Sequence, residues 1–210
     1  MASTTTDTET ELSAVNAILG AIGQSPVTSL VFENPEISFI YNLLRDANVD
    51  VQNEGWHFNT EKHVKYTPDA TTKRIEIGSD ILKIDVPDGW RTRTYDVIKK
   101  TDSTNNVTYL YDKYDHTDEW DDEIDLDVVK LFKYVDIPEP FKRYIIYKAA
   151  TRAATQLVGN PQLARLLGNQ ELLARSTCLE YECNQGNYTM FGFPEDSIHR
   201  TYQPWTTLRR

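Results

Sequence analysis

The sequence predicts an α+β fold, a four-helix-bundle-like α domain with an inserted small β-sandwich or barrel domain and an irregular C-terminal tail. Three observations lead there. Apolar residues recur at three- and four-residue spacing before residue 62 and again after residue 137, the mark of helices with one buried face. Between these stretches the pattern changes to short alternating runs separated by turn residues, which reads as strands. The final stretch has no period at all but is rich in large aromatic side chains. The expected division is 1–62 with 137–186 as a discontinuous helical domain, 63–136 as the inserted β-rich domain, and 187–210 as an extended tail. Neither half of such a helical domain buries its stripe without the other.

The first helix is expected from Glu11 to Ile22, where Leu12, Val15, Ile18, Leu19 and Ile22 form the stripe. Gly23 ends it, and Ser25-Pro26 keeps the chain out of helix. The second opens at Asn34-Pro35, an N-cap followed by a residue suited to the first helical position. Ile37, Ile40, Tyr41, Leu44, Ala47 and Val51 form its stripe, and Gly55 stops it; Trp56 and Phe58 then pack under the helix ends. In the middle, Arg74–Ile77 and Ile81–Val86 read as strands, Pro87-Asp88-Gly89 as a turn, Tyr95–Ile98 and Val107–Tyr111 as a hairpin, and Asp127–Val135 as a last strand. Helix resumes at Pro138-Glu139-Pro140 and closes at Gly159. Asn160-Pro161 repeats the Asn34-Pro35 signal for a fourth helix that Gly186 ends.

The chain of 210 residues carries a net charge of −10, unevenly distributed. Residues 1–62 sum to −7, 63–136 to −6, and 137–210 to +3. An acidic chain does not grip nucleic acid through phosphate neutralisation, although DNA can slide past such a surface. The opposite-signed last third points to an electrostatically complementary contact with a neighbour. Two cysteines, Cys178 and Cys183, lie on one expected helix, so a disulfide framework is not expected. No apolar run is long enough to span a membrane, and no leader is evident, so a soluble product of a reducing compartment is expected.

A search for reactive constellations finds no Walker-type loop, G-x-S-x-G or H-E-x-x-H. His57, His63, His116 and His199 are dispersed, and the cysteine pair lacks a second pair to complete a zinc site. No cofactor and no catalytic residue is therefore expected. Asp112–Asp127 is the strongest local oddity, with nine acids and one base around Trp120. It reads as a solvated acidic loop between strands, in preference to a divalent-cation site, because no calcium-loop spacing is present. Asp118, Glu119, Asp121, Asp122, Glu123 and Asp125 are its candidate functional patch, an acidic rim that repels DNA phosphates or faces a partner. Arg143 and Arg152 read as surface charges before channel-lining ones. In the tail, Tyr188, Met190, Phe191, Phe193, Tyr202, Trp205, Arg209 and Arg210 form the candidate partner interface, since aromatics and Arg dominate interface hot spots.

Four stretches resemble the tail tubular protein A family of short-tailed podoviruses. Glu11 to Asn16, then Ile18-Leu19, Ile22-Gly23 and Pro26-Val27, are similar to its first helix and turn. Gly55-Trp56-His57-Phe58-Asn59 resembles its G-W-x-F-N motif. Pro138-Glu139, with Lys148-Ala149 and Arg152, is similar to the opening of its third helix. Cys178 to Glu182, then Gly186, Tyr188 and Met190, resemble its last helix and exit. The order and spacing agree over most of the chain; 63–136 and the residues after Met190 carry no motif.

The resemblance implies a non-enzymatic adaptor, or gatekeeper, at the head-to-tail junction of the virion. A homo-oligomeric ring, a dodecamer, would sit between the portal protein and the tail nozzle (tail tubular protein B), with the tail fibre as a further partner. It would extend the channel, retain packaged double-stranded DNA without sequence-specific binding, and let it pass on ejection. No membrane partner is implied, and synthesis falls in the host cytoplasm. Two other readings compete. A metal-dependent nuclease would use the carboxylates of 112–127. A monomeric binding module would dock a sugar or peptide through Trp90, Trp120 and Tyr109.

Overall fold

The computed structural model describes residues 10–86, 96–103 and 106–186. The expected turn at Pro87-Asp88-Gly89, Trp90, and the whole candidate interface from Tyr188 to Arg210 lie outside them. The chain is α+β, with four helices and two small antiparallel sheets. Its contacts divide it into two compact units, the described parts of Met1–Phe58 with Phe132–Glu182 and those of Asn59–Leu131 with Cys183–Arg210.

In the first unit, α1 (Glu11–Ala21) begins at a capping box that the sequence reading did not single out. The Thr10 side chain accepts the Ser13 N–H at 3.3 Å, and Ser13 Oγ accepts the Thr10 N–H at 2.9 Å. Gly23, at φ 84°, takes the left-handed turn that ends the helix. Asn16 then holds the exit loop back on α1, donating to Val27 O at 2.9 Å and accepting the Val27 N–H at 2.8 Å. The next helix, α2 (Pro35–Gln52), is capped by Asn34, which accepts the Glu36 N–H at 3.1 Å.

The third helix, α3 (Glu139–Ala153), does not run straight to Gly159. Its last turn widens into a π-type turn over Ala154–Val158, closed by Gly159 at φ 65°. The fourth, α4 (Pro161–Gly186), opens on Asn160, whose side chain accepts the N–H groups of Gln162 and Leu163 at 3.0 and 3.2 Å.

The core of this unit is one cluster drawn from all four helices. Val15 and Ile18 of α1, Ile40, Leu44 and Val51 of α2, Phe141 and Ile145 of α3, and Leu167 and Cys178 of α4 are buried in it. Ala149, Ala150 and Ala153 are fully buried, so α3 approaches its neighbours closely. Phe141 sits among the rings of Trp56, Phe58 and Tyr181, with centroids 4.9, 4.7 and 5.8 Å away.

In the second unit, β1 (Thr60–Tyr66), β5 (Ile124–Lys130) and β2 (Ile81–Asp85) form an antiparallel sheet in the order β1-β5-β2. A hairpin of β3 (Val97–Thr101) and β4 (Thr108–Asp112) forms the second sheet. Ile81, Val97, Leu110, Ile124, Leu126 and Val128 bury one another in a separate core.

Three expectations for the β-rich stretch need correction, and one strand was not expected. The last strand is Ile124–Lys130, not Asp127–Val135, because Leu126, Val128 and Val129 supply its buried positions. The acidic run is therefore a loop only up to Glu123, and Asp125 and Asp127 belong to β5. Arg74–Ile77 is not a regular strand, although it pairs with the free edge of β4. Ile77 N–H donates to Thr108 O at 2.8 Å and Leu110 N–H to Ile75 O at 2.9 Å. The strand β1 has no apolar alternation to mark it, because its residues are mostly exposed.

The buried side chain of Gln52 joins the two stretches of the helical unit. Its amide nitrogen donates to Phe132 O at 2.9 Å and to Asn48 Oδ1 at 2.8 Å, and its oxygen accepts the Phe132 N–H at 2.7 Å. Gln52→Ala strands both backbone groups of Phe132. It is expected to lower stability by about 3 kcal/mol, at ~1–3 kcal/mol per orphaned buried group, measured as a shift in the urea midpoint. A shift below about 0.5 kcal/mol would show that solvent reaches these groups.

Candidate functional site

Three surfaces hold candidates, and each is built differently. The acidic patch lies on the loop after β4 and the start of β5. Four of its six members are matched to bases. Asp118 pairs with Arg74 at 2.9 Å, Glu123 with Lys65 at 2.7 Å, and Asp121 with Lys73. Asp125 Oδ2 lies 3.0 Å from Nδ1 of His63. The hydrogen bond from Lys73 holds the Asp121 carboxyl below its ordinary value, while Lys73 is raised by the same bond. Glu119 and Asp122 face solvent.

His63 has a left-handed backbone, φ 57°, where the β1–β5 register shifts between Glu61 and Val64. Its N–H donates to Asp127 Oδ1 at 2.9 Å, so the acid on β5 holds the bulge. Asp112, at the head of the run, is buried and structural. Its side chain accepts the N–H groups of Tyr114 and Asp96 at 2.7 and 3.2 Å. Among the described residues, no group of three or more His, Cys, Asp or Glu is placed to hold a metal ion.

Trp120 does not fit the competing reading in which it docks a ligand. It is buried in the β core, and its indole N–H donates to Leu110 O at 3.1 Å. Tyr109 does line a cleft, of about 420 Å³, with Arg74, Lys100, Tyr111, His116 and Asp118 among its neighbours. The sequence carried no motif for this cleft, because its residues come from four separate stretches.

On the helical unit the notable surface is apolar. Leu166 (64 % exposed), Leu172 (65 %), Leu173 (63 %) and Leu179 (47 %) project from α4 away from its buried positions Leu167 and Cys178. Val31 and Phe32, in the α1–α2 loop, are also exposed. Arg143 is exposed and lines two shallow grooves of α3, one with Ala17, Ala21 and Ile146, the other with Leu173 and Ala174. Arg152, by contrast, pairs with Asp50.

A family model described as tail tubular protein matches residues 12–188. The chain belongs to that family. The match runs from α1 past the end of α4 and covers most of the chain, so family membership does not rest on one motif. No curated protein matches the sequence. As a tail tubular protein, the chain is a structural component of a phage tail, located in the virion with other tail proteins.

The two cysteines of this tail tubular protein are free and differ in environment: Cys178 is buried, Cys183 exposed. Burial, with the Glu54 carboxylate nearby, pushes the Cys178 thiol up to about 12, and burial pushes the Tyr144 phenol to about 12 as well. In the unfolded chain these groups ionise near 9.0 and 10.0, so alkali takes protons from the unfolded state first. Their contribution is intact below pH 9 and is lost as pH rises toward 12. The melting temperature is expected to fall progressively above pH 9, and less steeply in Cys178→Ala. At pH 8, iodoacetamide should label Cys183 alone in the folded protein and both cysteines in urea, read by mass spectrometry; rapid double labelling of the folded protein would contradict the buried thiol.

Proposed function

We propose that the chain is the head-to-tail adaptor of a short-tailed phage. Copies close into a ring between the portal protein and the tail nozzle, extend the DNA channel, help retain packaged DNA, and let it pass on ejection. The observation that carries the proposal is the pairing of family membership with the outer face of α4. A helix whose core face is fully used still presents four leucines to solvent. Isolated monomers seldom leave such a run of apolar side chains uncovered. A ring needs head-to-tail contacts that close, so each subunit must offer two different surfaces. In this reading the aromatic and basic tail, Tyr188 to Arg210, anchors a neighbour or the portal. The acidic loop from Asp118 to Asp125 faces the channel or the nozzle and keeps DNA mobile by repulsion. The role is mechanical and electrostatic, and no catalytic step is assigned.

Electron microscopy of the purified protein mixed with its portal ring tests the proposal. A closed ring of added density on one end of the portal is the expected outcome; bare portals beside free subunits at every concentration would overturn it. The double substitution Leu172→Glu, Leu173→Glu is expected to weaken seating by at least about tenfold, a ~1.4 kcal/mol loss. Its melting temperature should stay close to that of the parent, because neither side chain is in the core. Full seating by this variant would remove α4 from the contact.

A further inference from the structure

We propose that the cleft on the β unit is a binding site for a neutral glycan. The argument begins with strand alternation. In β4, Leu110 is fully buried, so Tyr109 and Tyr111 on either side of it project from the opposite face. β3 flanks this face on one edge of β4 and the segment Arg74–Ile77 on the other. Each flank contributes a cation. Lys100 stands opposite Tyr109 in register, with Nζ 4.2 Å from the Tyr111 ring centroid. The Arg74 guanidinium carbon lies 5.3 Å from the Tyr109 centroid, and the same guanidinium pairs with Asp118 at 2.9 Å. Asp102, Ser103, Thr101 and His116 complete the lining of a cleft of about 420 Å³.

The chemistry of these walls selects the ligand class. Arg74 and Lys100 are balanced by Asp102 and Asp118, so two cations and two anions line the cleft. An acidic ligand would meet two carboxylates and a basic one two cations. An apolar ligand would strip water from charged groups and give nothing back. A sugar avoids all three penalties. Its hydroxyls donate to carboxylates and accept from guanidinium, ammonium and imidazole.

The site is also built to keep its shape. Trp120 braces the floor through Leu110 O, and the backbone bonds of Ile75 and Ile77 hold the Arg74 flank against β4. Three of the left-handed non-glycine residues border the cleft: Lys73 (φ 54°) precedes Arg74, Asn106 (φ 53°) bonds back to Asp102 O, and His116 (φ 56°) is in the wall. Backbone in that region costs energy and collects where a surface must hold one form. A wall set before binding loses less entropy on binding.

The experiment is an array of neutral oligosaccharides, anionic oligosaccharides and acidic peptides, probed with the labelled full chain. Retention on one or more neutral oligosaccharides is expected. It should fall at least about tenfold, a ~1.4 kcal/mol loss, in the double variant Arg74→Ala with Lys100→Ala, and also in Ser103→Trp, which fills the cleft and leaves its framework in place. Unchanged melting temperatures would show that both variants fold. No retention on any neutral oligosaccharide, retention confined to anionic probes, or equal retention by parent and folded variants would overturn the proposal. Seating on the portal ring, measured on the same variants, separates this site from the adaptor role.

Discussion

The helical unit depends on two distant stretches of chain meeting in one place, and the Gln52 amide makes that meeting specific. Hydrophobic burial brings α2 and α3 together, but burial has no direction and does not choose where the returning chain docks. Gln52 chooses by satisfying both the N–H and the C=O of Phe132, eighty positions along the chain. A residue with only one kind of group would leave one of them stranded in the interior. Two residues later, Glu54 adds a second fixation. Its carboxylate takes the Tyr144 hydroxyl at 3.3 Å and the Arg175 guanidinium at 2.9 Å, with Lys148 at 3.9 Å, so one side chain reaches α3 and α4 together.

This constraint explains the stretch Gly55 to Asn59. Gly55 turns the chain at φ 81°, and Trp56 returns to cap α2 by donating to Val51 O at 2.7 Å. The His57 N–H is taken by the Glu182 carboxylate, Phe58 stacks near Phe141, and Asn59 donates to Lys130 O at 3.1 Å. Every member holds backbone or core. This stretch, one of four that carry the family resemblance, therefore encodes how the chain leaves its helical unit.

The helical part of the fold was legible for physical reasons. Asn34-Pro35 and Asn160-Pro161 are local signals whose effect does not depend on distant partners, and both start helices. The strands were less legible because their limits are set by partners. β1 alternates poorly and exists by pairing with β5, and the ends of β5 follow from which of its valines face the β core. Pattern failed most plainly at Trp120: an acidic neighbourhood gives no sign that an indole turns inward to bond Leu110 O. The π-type turn after α3 was equally hidden, since Ala154 to Val158 read as ordinary helix. The cleft was beyond sequence reasoning altogether, because Arg74, Lys100, Tyr111 and Asp118 become neighbours only through the hairpin and the bridge at its free edge.

The two surface types answer different physical demands. The acidic loop binds its charges mostly to its own bases across β1 and the Arg74 segment, through exposed ion pairs worth little individually, ~0–1 kcal/mol. Such pairs dissolve easily, and the loop keeps its negative field without staking the fold on it. The α4 leucines are the opposite case. Each fully covered leucine side chain is worth about 1.5–3 kcal/mol, and among the described residues that free energy is left unrealised. Moving these side chains into the core would require α4 to roll, which would withdraw Leu167 and Cys178 and break the Cys178 Sγ contact to Pro140 O at 3.3 Å. The helix therefore cannot satisfy both faces by itself. In the proposed adaptor, a neighbouring subunit or the portal covers the second face on assembly.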